Sequence, residues 1–189
     1  NELLHNFNFA MNKNIVGVSL NQNYGLEDLV LSLNKGFAFL MGKEECELIG
    51  WVHPDMIFED KWLSELVKIL DEDTDTKIGK VCYWNTRDGQ PETEEIIPGH
   101  QQVYLIRRGV LLRIGLFDER FVGIGGWEDT DLNRRIIKEG YRVVISPKSK
   151  VFHSAMATRS KRDTSKEGAH NREEYRKKWN DNVDGGMFT

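Results

Sequence analysis

The chain has 189 residues, of which 39% are hydrophobic and 30% are charged, and its formal net charge is −4. This length suits one domain, and the hydrophobic fraction supplies enough apolar surface for a core, which excludes wholesale disorder. The mild negative charge disfavours nucleic acid as the main partner, because phosphate-binding domains are usually strongly basic.

The first part of the chain alternates between strand-like and helix-like segments. Residues 15–20 form a short β-like run, and residues 21–25 form the turn that ends it. Apolar residues at three- and four-residue steps predict a helix over residues 26–41. A largely apolar strand is predicted over residues 47–52, and Asp60 is the predicted N-cap of the next helix.

The middle of the chain contains two further strands around a polar loop. The helix that begins after Asp60 ends in acidic residues 71–73, whose charge opposes the helix dipole, so we expect this end to fray. Strands are predicted over residues 78–84 and 102–106, and a polar loop with prolines and glycines separates them. A short helical turn follows at residues 110–114.

The last part of the chain continues the alternation. Apolar spacing predicts a helix that ends at Gly140. Two short strands follow, at residues 142–146 and 151–153, and residues 171–179 form the last predicted helix. Strands that alternate with helices indicate an α/β sandwich with a largely parallel sheet.

The extent of the domain and its environment also follow from the sequence. We expect one domain over residues 1–180 and a tail at residues 181–189. Cys46 and Cys82 are too few for a disulfide framework or a zinc site, which favours a reducing, cytoplasmic compartment. No apolar run approaches the roughly 18 residues of a membrane span, so no integral membrane segment is expected. The chain begins with Asn1, which indicates a piece of a longer protein.

Imidazole and carboxylate side chains follow two of the predicted strands. His53 and Asp55 come after the strand at residues 47–52, and His153 ends the last strand. Ligands of open α/β sheets bind in the crevice at such positions. Asp55 suits a hard divalent cation and His153 can complete its coordination. A turn-forming Pro-Asp pair and a packed histidine are the alternative interpretations.

Residues 123–131, with the sequence GIGGWEDTD, join a glycine-rich loop to three carboxylates. Acidic residues at a helix start satisfy free N–H groups and suit the helix dipole, which accounts for one or two of them. The glycines let the backbone approach a ligand and move, and Trp127 offers a flat face to a sugar ring. A carboxylate at a helix N-terminus stays ionised, as a general base must. This stretch therefore predicts a catalytic base beside a substrate-shaping loop.

The order of these motifs resembles that of the inverting family-two glycosyltransferases, which have the GT-A nucleotide-sugar fold. The similar segments are 21–25 ("N-x-G"), 53–55 with 62–63 ("D-x-D" and "W-L"), 115–121 ("G-G-F-D-E-R-F"), 128–135 ("E-D-x-D-L-x-x-R"), 151–153 ("V-x-H") and 177–179 ("K-K-W"). The run of glycines, Trp127 and acids is also similar to "G-W-G-G-E-D" of animal galactosyltransferases. The resemblance covers roughly residues 15–180. It implies a GT-A-like three-layer sandwich with a mixed, mostly parallel central sheet.

The resemblance also implies roles for individual residues. Asp129 would take the proton from the acceptor hydroxyl. Asp55, with His153 and His53, would bind Mn²⁺ or Mg²⁺ at the diphosphate of the sugar donor. His53 stands where the family has Asp, and imidazole suits Mn²⁺ better than Mg²⁺.

Substrate contacts follow from the same resemblance. Trp127, Glu128 and Gly126 would position the acceptor, and Arg159 would contact the donor diphosphate. The donor would be a nucleotide sugar, and the acceptor a saccharide, a lipid-linked saccharide or a protein, as in polysaccharide biosynthesis. Such an enzyme is compatible with peripheral membrane contact. The family's first strand, helix and second strand, which hold the nucleotide base, have no counterpart before residue 15.

Three other functions remain open at this stage. A non-catalytic module with the same fold would bind a sugar or a protein without donor turnover. A nucleotidyltransferase also needs acidic metal ligands, but it would have a basic phosphate-gripping loop near its start. Nucleic-acid binding would use the basic residues at 159–162 and 172–178, but acidic residues interrupt them, which favours a solvated face.

Overall fold

The computed structural model describes residues 29–53, 56–85, 103–124, 126–153 and 163–180. These ranges contain α1 (Leu29–Met41), β1 (Leu48–Val52), β2 (Met56–Phe58), α2 (Trp62–Glu72), β3 (Ile78–Asn85), β4 (Val103–Arg107), α3 (Arg108–Ile114), α4 (Glu128–Lys138), β5 (Arg142–His153) and α5 (Ser165–Trp179). The predicted strand at residues 15–20 and the tail lie outside the described residues. Within the described ranges, no helix is long and apolar enough to cross a membrane.

The strands form one five-stranded sheet in the order β1-β4-β3-β5-β2. β3 and β5 are parallel, whereas β1 with β4, β3 with β4 and β2 with β5 are antiparallel. The prediction of a mixed sheet is confirmed, but the prediction of a mostly parallel one is wrong for the described strands. Two helices, α3 and α4, separate β4 from β5. The chain therefore crosses the face of the sheet twice, and β5 does not run parallel to β4.

β5 is one continuous strand where the sequence predicted two. Its register with β3 shifts between residues 145 and 150, so β5 contains a bulge that includes Pro147. A bulge tolerates proline because the residue there need not donate to the ladder. Beyond the bulge, β5 continues to His153, which pairs with Met56 of β2. Pro147 thus lies inside one strand rather than between two.

Helices cover both faces of the sheet, which confirms a three-layer sandwich. Alternate residues of the central strands point to opposite faces, as the strand period requires. Cys82 belongs to the core under α1, α3, α4 and α5, whereas Val81 and Tyr83 belong to the core under α2. In β4, Tyr104 belongs to the first of these cores and Val103 to the second. Buried helical side chains such as Leu66 of α2 and Leu132 of α4 complete these cores.

The two ends of α2 differ from the sequence predictions. The helix begins after Lys61, whose φ is +66°, and no side chain caps it, so the prediction of Asp60 as N-cap is wrong. The acidic end is tied down rather than frayed. Arg107 donates to the Leu70 carbonyl at 2.6 Å and to Asp73 Oδ2 at 3.2 Å. Arg107 therefore connects the last turn of α2 to β4, and its charge suits the negative end of the helix dipole.

Candidate functional site

The two predicted histidine ligands meet at one end of the sheet. β1, which His53 follows, and β2, which pairs with the end of β5, occupy opposite edges of the sheet. The rings of His53 and His153 lie with their centroids 6.0 Å apart at 75°. Trp51 also contacts His53, with ring centroids 6.1 Å apart. Residues distant in sequence are thus neighbours, as the sequence predicted.

The chemistry of this histidine pair suits a cation, because imidazole nitrogen is a common metal ligand. Imidazole favours Mn²⁺ over Mg²⁺. The third predicted ligand, Asp55, lies outside the described residues, and no group of three His, Cys, Asp or Glu within the described part of the chain is able to hold a metal.

The start of α4 lies toward the same end of the sheet. Lys80 of β3 bonds to Asn133 of α4 at 2.9 Å, and a side-chain atom at Gly79 would contact Ile136 one turn later. α4 therefore runs back along β3. Its first residues, including Asp129, lie toward the carboxyl end of β3, where β5 also ends.

The entry into α4 has an unusual backbone conformation. Gly126 and Trp127 have φ values of +82° and +80°, and Trp127 is the N-cap without a side-chain cap bond. A left-handed conformation at a residue other than glycine stores strain of roughly 1–3 kcal/mol, and such strain is typical of functional sites. Packing retains it, because the Trp127 ring lies 5.0 Å from that of Tyr175, measured between centroids. Trp127 is half-buried, so part of its face is used in this contact.

Asp129, the predicted general base, lies in the first turn of α4. Its Oδ1 accepts the Thr130 N–H at 2.7 Å, and the side chain is half-buried. A free N–H group at the helix start thus orients one carboxylate oxygen, and the positive end of the dipole favours its charge. Glu128, beside it, is also half-buried.

Asp131 has a different role, because it is fully buried and bound on three sides. Its carboxylate accepts from Arg135 Nε at 2.9 Å, from Trp179 Nε1 at 2.9 Å and pairs with Lys178 Nζ at 2.7 Å. Lys178 also pairs with Asp118 at 2.7 Å. One ion-pair network therefore holds α4 against α5, and it connects the three motifs at residues 115–121, 128–135 and 177–179.

Two residues of α5 that the sequence analysis did not identify hold the glycine loop. The buried Asn171 accepts the Val122 N–H and donates to the Val122 and Gly126 carbonyls, each at 2.9 Å. Glu167 Oε2 accepts the Ile124 N–H at 3.0 Å. The glycines predicted a loop that is free to move, but hydrogen bonds with Asn171 and Glu167 hold its described residues in place.

Gly123 shows why this loop needs glycine. Its φ is +61°, and an added Cβ would overlap the Glu167 carboxylate.

The predicted phosphate contact, Arg159, and Gly125 lie outside the described residues. The signal for Asn171 in the sequence was weak, because a single polar residue in a charged helix resembles a solvated position.

Comparison with known proteins shows likeness in structure only. No protein-family model matches the chain, and no curated protein matches its sequence. The mannosyltransferase PcManGT from Pyrobaculum calidifontis, in complex with GDP-Man and Mn²⁺, matches with a TM-score of 0.56 and 18% identity. This match covers 75% of the chain and 39% of the mannosyltransferase.

Two further structures match similarly. GalNAc-T7 with UDP, GalNAc and Mn²⁺ has a TM-score of 0.54 and 15% identity over 72% of this chain and 32% of that one. The catalytic domain of Drosophila β1,4-galactosyltransferase 7, in complex with xylobiose, has a TM-score of 0.53 and 16% identity over 80% and 62%. The chain thus spans less than two thirds of each of these proteins. With the mixed sheet between two helical layers, these matches show an α/β fold of the GT-A type.

We expect acid to weaken the fold through Asp118. Hydrogen bonds from Arg120, and then from Lys178, hold the pKa of Asp118 well below its usual range. A carboxylate with a depressed folded-state pKa contributes stability above its unfolded-state pKa of about 4, and this is lost as the pH falls toward the folded-state value. Asp118→Asn should therefore be less stable than the wild type at pH 7, with a difference that shrinks below about pH 4.

Urea unfolding at pH 7, 4 and 2 measures this difference. Glu139→Gln, which changes an exposed carboxylate at the far end of α4, is the control and should show no such convergence. A gap between Asp118→Asn and the wild type that stays constant with pH would contradict the role of the ion pair.

We expect Asn171→Ala to release the glycine loop. The variant leaves the Val122 N–H and two carbonyls without their partner, so the free energy of unfolding should fall by about 1–3 kcal/mol. Hydrogen exchange of the Val122 amide should become at least ~10-fold faster, which follows from losing about 1.4 kcal/mol of local protection. The matched control is Glu173→Ala on the exposed face of α5. Equal protection of Val122 in both variants would show that Asn171 does not hold the loop.

Proposed function

We propose that this chain is a metal-dependent glycosyltransferase of the hexosyltransferase type. It moves a sugar from a nucleoside-diphosphate donor to an acceptor hydroxyl with inversion, in the manner of family two. The observation that supports this most is the half-buried Asp129, oriented by the start of α4, at the end of a GT-A-like sheet where His53 and His153 meet.

The solved neighbours support the choice of ligands. Two of them contain Mn²⁺ together with a nucleotide ligand. The ligand is GDP-Man in the mannosyltransferase and UDP in GalNAc-T7. The third is in complex with the saccharide xylobiose. We therefore infer a nucleotide-sugar donor and a saccharide, lipid-linked or protein acceptor, with cytoplasmic location as the expectation from the cysteines.

The proposed chemistry assigns one step to each group of residues. Asp129 accepts the proton of the acceptor hydroxyl while the oxygen attacks the anomeric carbon opposite the leaving diphosphate, and the configuration inverts. General-base assistance of this kind contributes about 10²–10⁴-fold. Asp55, His53 and His153 would hold the cation, which when bound offsets the negative charge that develops on the diphosphate.

The remaining residues position the substrates. Trp127, Glu128 and Gly126 would contact the acceptor, because they form the loop that leads into Asp129. Arg159 would contact the donor diphosphate. Holding the hydroxyl within reach of both the carboxylate and the anomeric carbon replaces a bimolecular encounter with a unimolecular one.

The first test is removal of the base. Asp129→Asn should lower kcat by at least ~100-fold because the proton acceptor is lost, whereas the amide still accepts from Thr130 and stability should change little. The measurement is transfer or hydrolysis of UDP- and TDP-sugars with Mn²⁺. Glu139→Gln, at the C-cap of the same helix, is the control and should retain full activity.

Two outcomes of this assay contradict the proposal in different ways. An Asp129→Asn variant with more than a tenth of the wild-type kcat would remove Asp129 as the base. A wild-type chain that neither transfers nor hydrolyses any sugar nucleotide would instead favour the non-catalytic binding module.

The second test concerns the metal. Asp55→Ala and His153→Ala should each raise the Mn²⁺ concentration needed for half-maximal nucleotide binding by at least ~10-fold, since even outer-shell changes lower metal affinity by this much. His53→Asp should shift the preference from Mn²⁺ toward Mg²⁺, because carboxylate replaces imidazole. His170→Ala, which changes an exposed histidine on α5, is the control. Nucleotide binding that needs no metal in any of these variants would exclude a metal site at these residues.

A further inference from the structure

Four side chains from three neighbouring strands form a row on one face of the sheet. Ile57 of β2 pairs directly with Phe152 of β5, and Trp84 of β3 pairs directly with Lys150 of β5. Residues opposite each other share a face of the sheet, and so do residues two apart on one strand. The row, which we call the edge stripe, therefore runs from β2 at the edge of the sheet to β3 at its centre.

The edge stripe lies on the face of the sheet that carries α4. The strand neighbours of its members, Met56, Tyr83 and Val151, belong to the core under α2. Because side chains alternate along a strand, the stripe points to the opposite face. Ile57 is 60% exposed there and Phe152 is 41% exposed. The stripe is thus a part of this face that the described helices leave open.

The inner end of the stripe lies toward the start of α4. Lys80 of β3 bonds to Asn133 of α4 at 2.9 Å, so these two residues face each other. Asp129 lies four residues before Asn133, about 6 Å along the helix axis. Cys82 and Trp84 follow Lys80 on the same face of β3 at steps of about 6.6 Å. Since α4 runs back along β3, Asp129 lies about level with Cys82, one step before Trp84.

The chemistry of the stripe changes from its inner end to its outer end. Trp84, which is half-buried, has a flat aromatic face and a polar N–H, and such a surface suits a sugar ring. The Lys150 ammonium lies 5.4 Å from the centroid of the Trp84 ring. The ring carries no net charge, so the ammonium keeps its attraction for a phosphate. Beyond it, Phe152 and Ile57 form an apolar pair that water solvates poorly.

We propose that the acceptor is a saccharide joined through phosphate to an apolar chain, and that the edge stripe binds it. The sugar lies on Trp84 with its hydroxyl toward Asp129, the phosphate pairs with Lys150, and the chain covers Phe152 and Ile57. A free saccharide would leave the apolar pair in water. This inference rests on the proposed function and selects one of its three acceptor classes. The competing occupant is a second copy of the chain, paired through the edge strand β2.

The first experiment measures binding and needs no activity. The full chain is titrated with octyl phosphate, and with inorganic phosphate, while NMR follows the amides of Ile57 and Phe152. Octyl phosphate should bind at least ~10-fold more tightly than inorganic phosphate, because its chain covers the apolar pair. Ile57→Thr and Lys150→Gln should each raise the Kd for octyl phosphate by at least ~5-fold. The matched controls are Leu112→Gln, at an exposed leucine of α3, and Lys68→Gln, at an exposed lysine of α2.

Three results of the titration would overturn the inference. The first is an equal Kd for octyl phosphate in Ile57→Thr and Leu112→Gln. The second is equal affinity of the wild type for octyl phosphate and inorganic phosphate, since an anion alone would then account for binding. The third comes from sedimentation. A wild-type dimer that becomes a monomer in Ile57→Thr would show that a second copy occupies the stripe.

The second experiment measures transfer to two acceptor series, hexoses linked to octyl phosphate and the matching methyl hexosides. In the wild type, the acceptor KM should be at least ~10-fold lower for the octyl phosphate series. Ile57→Thr should bring the two KM values to within about threefold, and the donor KM should stay within about twofold, because the change affects acceptor binding alone. Leu112→Gln is again the control.

The two experiments separate failure of this inference from failure of the proposed function. If the wild type transfers no sugar but octyl phosphate binds at the stripe, the enzyme proposal fails, and the stripe is a site for amphiphilic phosphates. If the wild type transfers sugar equally well to both acceptor series, the enzyme proposal stands and the lipid-linked acceptor is excluded.

Discussion

A buried carboxylate, Asp131, fixes the geometry on which the candidate site depends. Its bonds to Arg135, Lys178 and Trp179 join α4 to α5, and removing one partner of such a buried pair typically costs about 3–5 kcal/mol. The glycine loop is held by both helices, since it leads into α4 and is bound by Asn171 of α5. The position of Asp129, two residues before Asp131, is therefore set by a network that the substrate would not touch.

The density of acidic residues after the glycine loop follows from helix geometry. Side chains two positions apart on an α-helix point to different sides, because each residue turns the direction by about 100°. Asp131 points into the α4–α5 interface and is fully buried, whereas Asp129 is half-buried and bonds to the helix start. One turn of helix thus carries a structural carboxylate and an accessible one, and both suit the positive end of the dipole.

Local patterns in the sequence predicted much of this fold, but not the features that depend on the path of the chain. β1, β3 and β4 were predicted nearly to their ends, because apolar runs bounded by turns indicate strands directly. The meeting of His53 and His153 was predictable, since both lie at the carboxyl ends of predicted strands. Strand direction was not, because it depends on how many helices separate two strands. The isolated three-residue β2 has too short a pattern to detect.

The residues that the sequence did not reveal are polar groups buried against their usual tendency. A lysine between apolar residues of a strand predicts an exposed position, yet Lys80 is enclosed. Its desolvation and the strained backbone of Trp127 both lower stability. A domain that needed only to fold would gain from an apolar residue at position 80 and glycine at position 127. A strained backbone two residues before a half-buried carboxylate is typical of functional sites, and this supports the role proposed for Asp129.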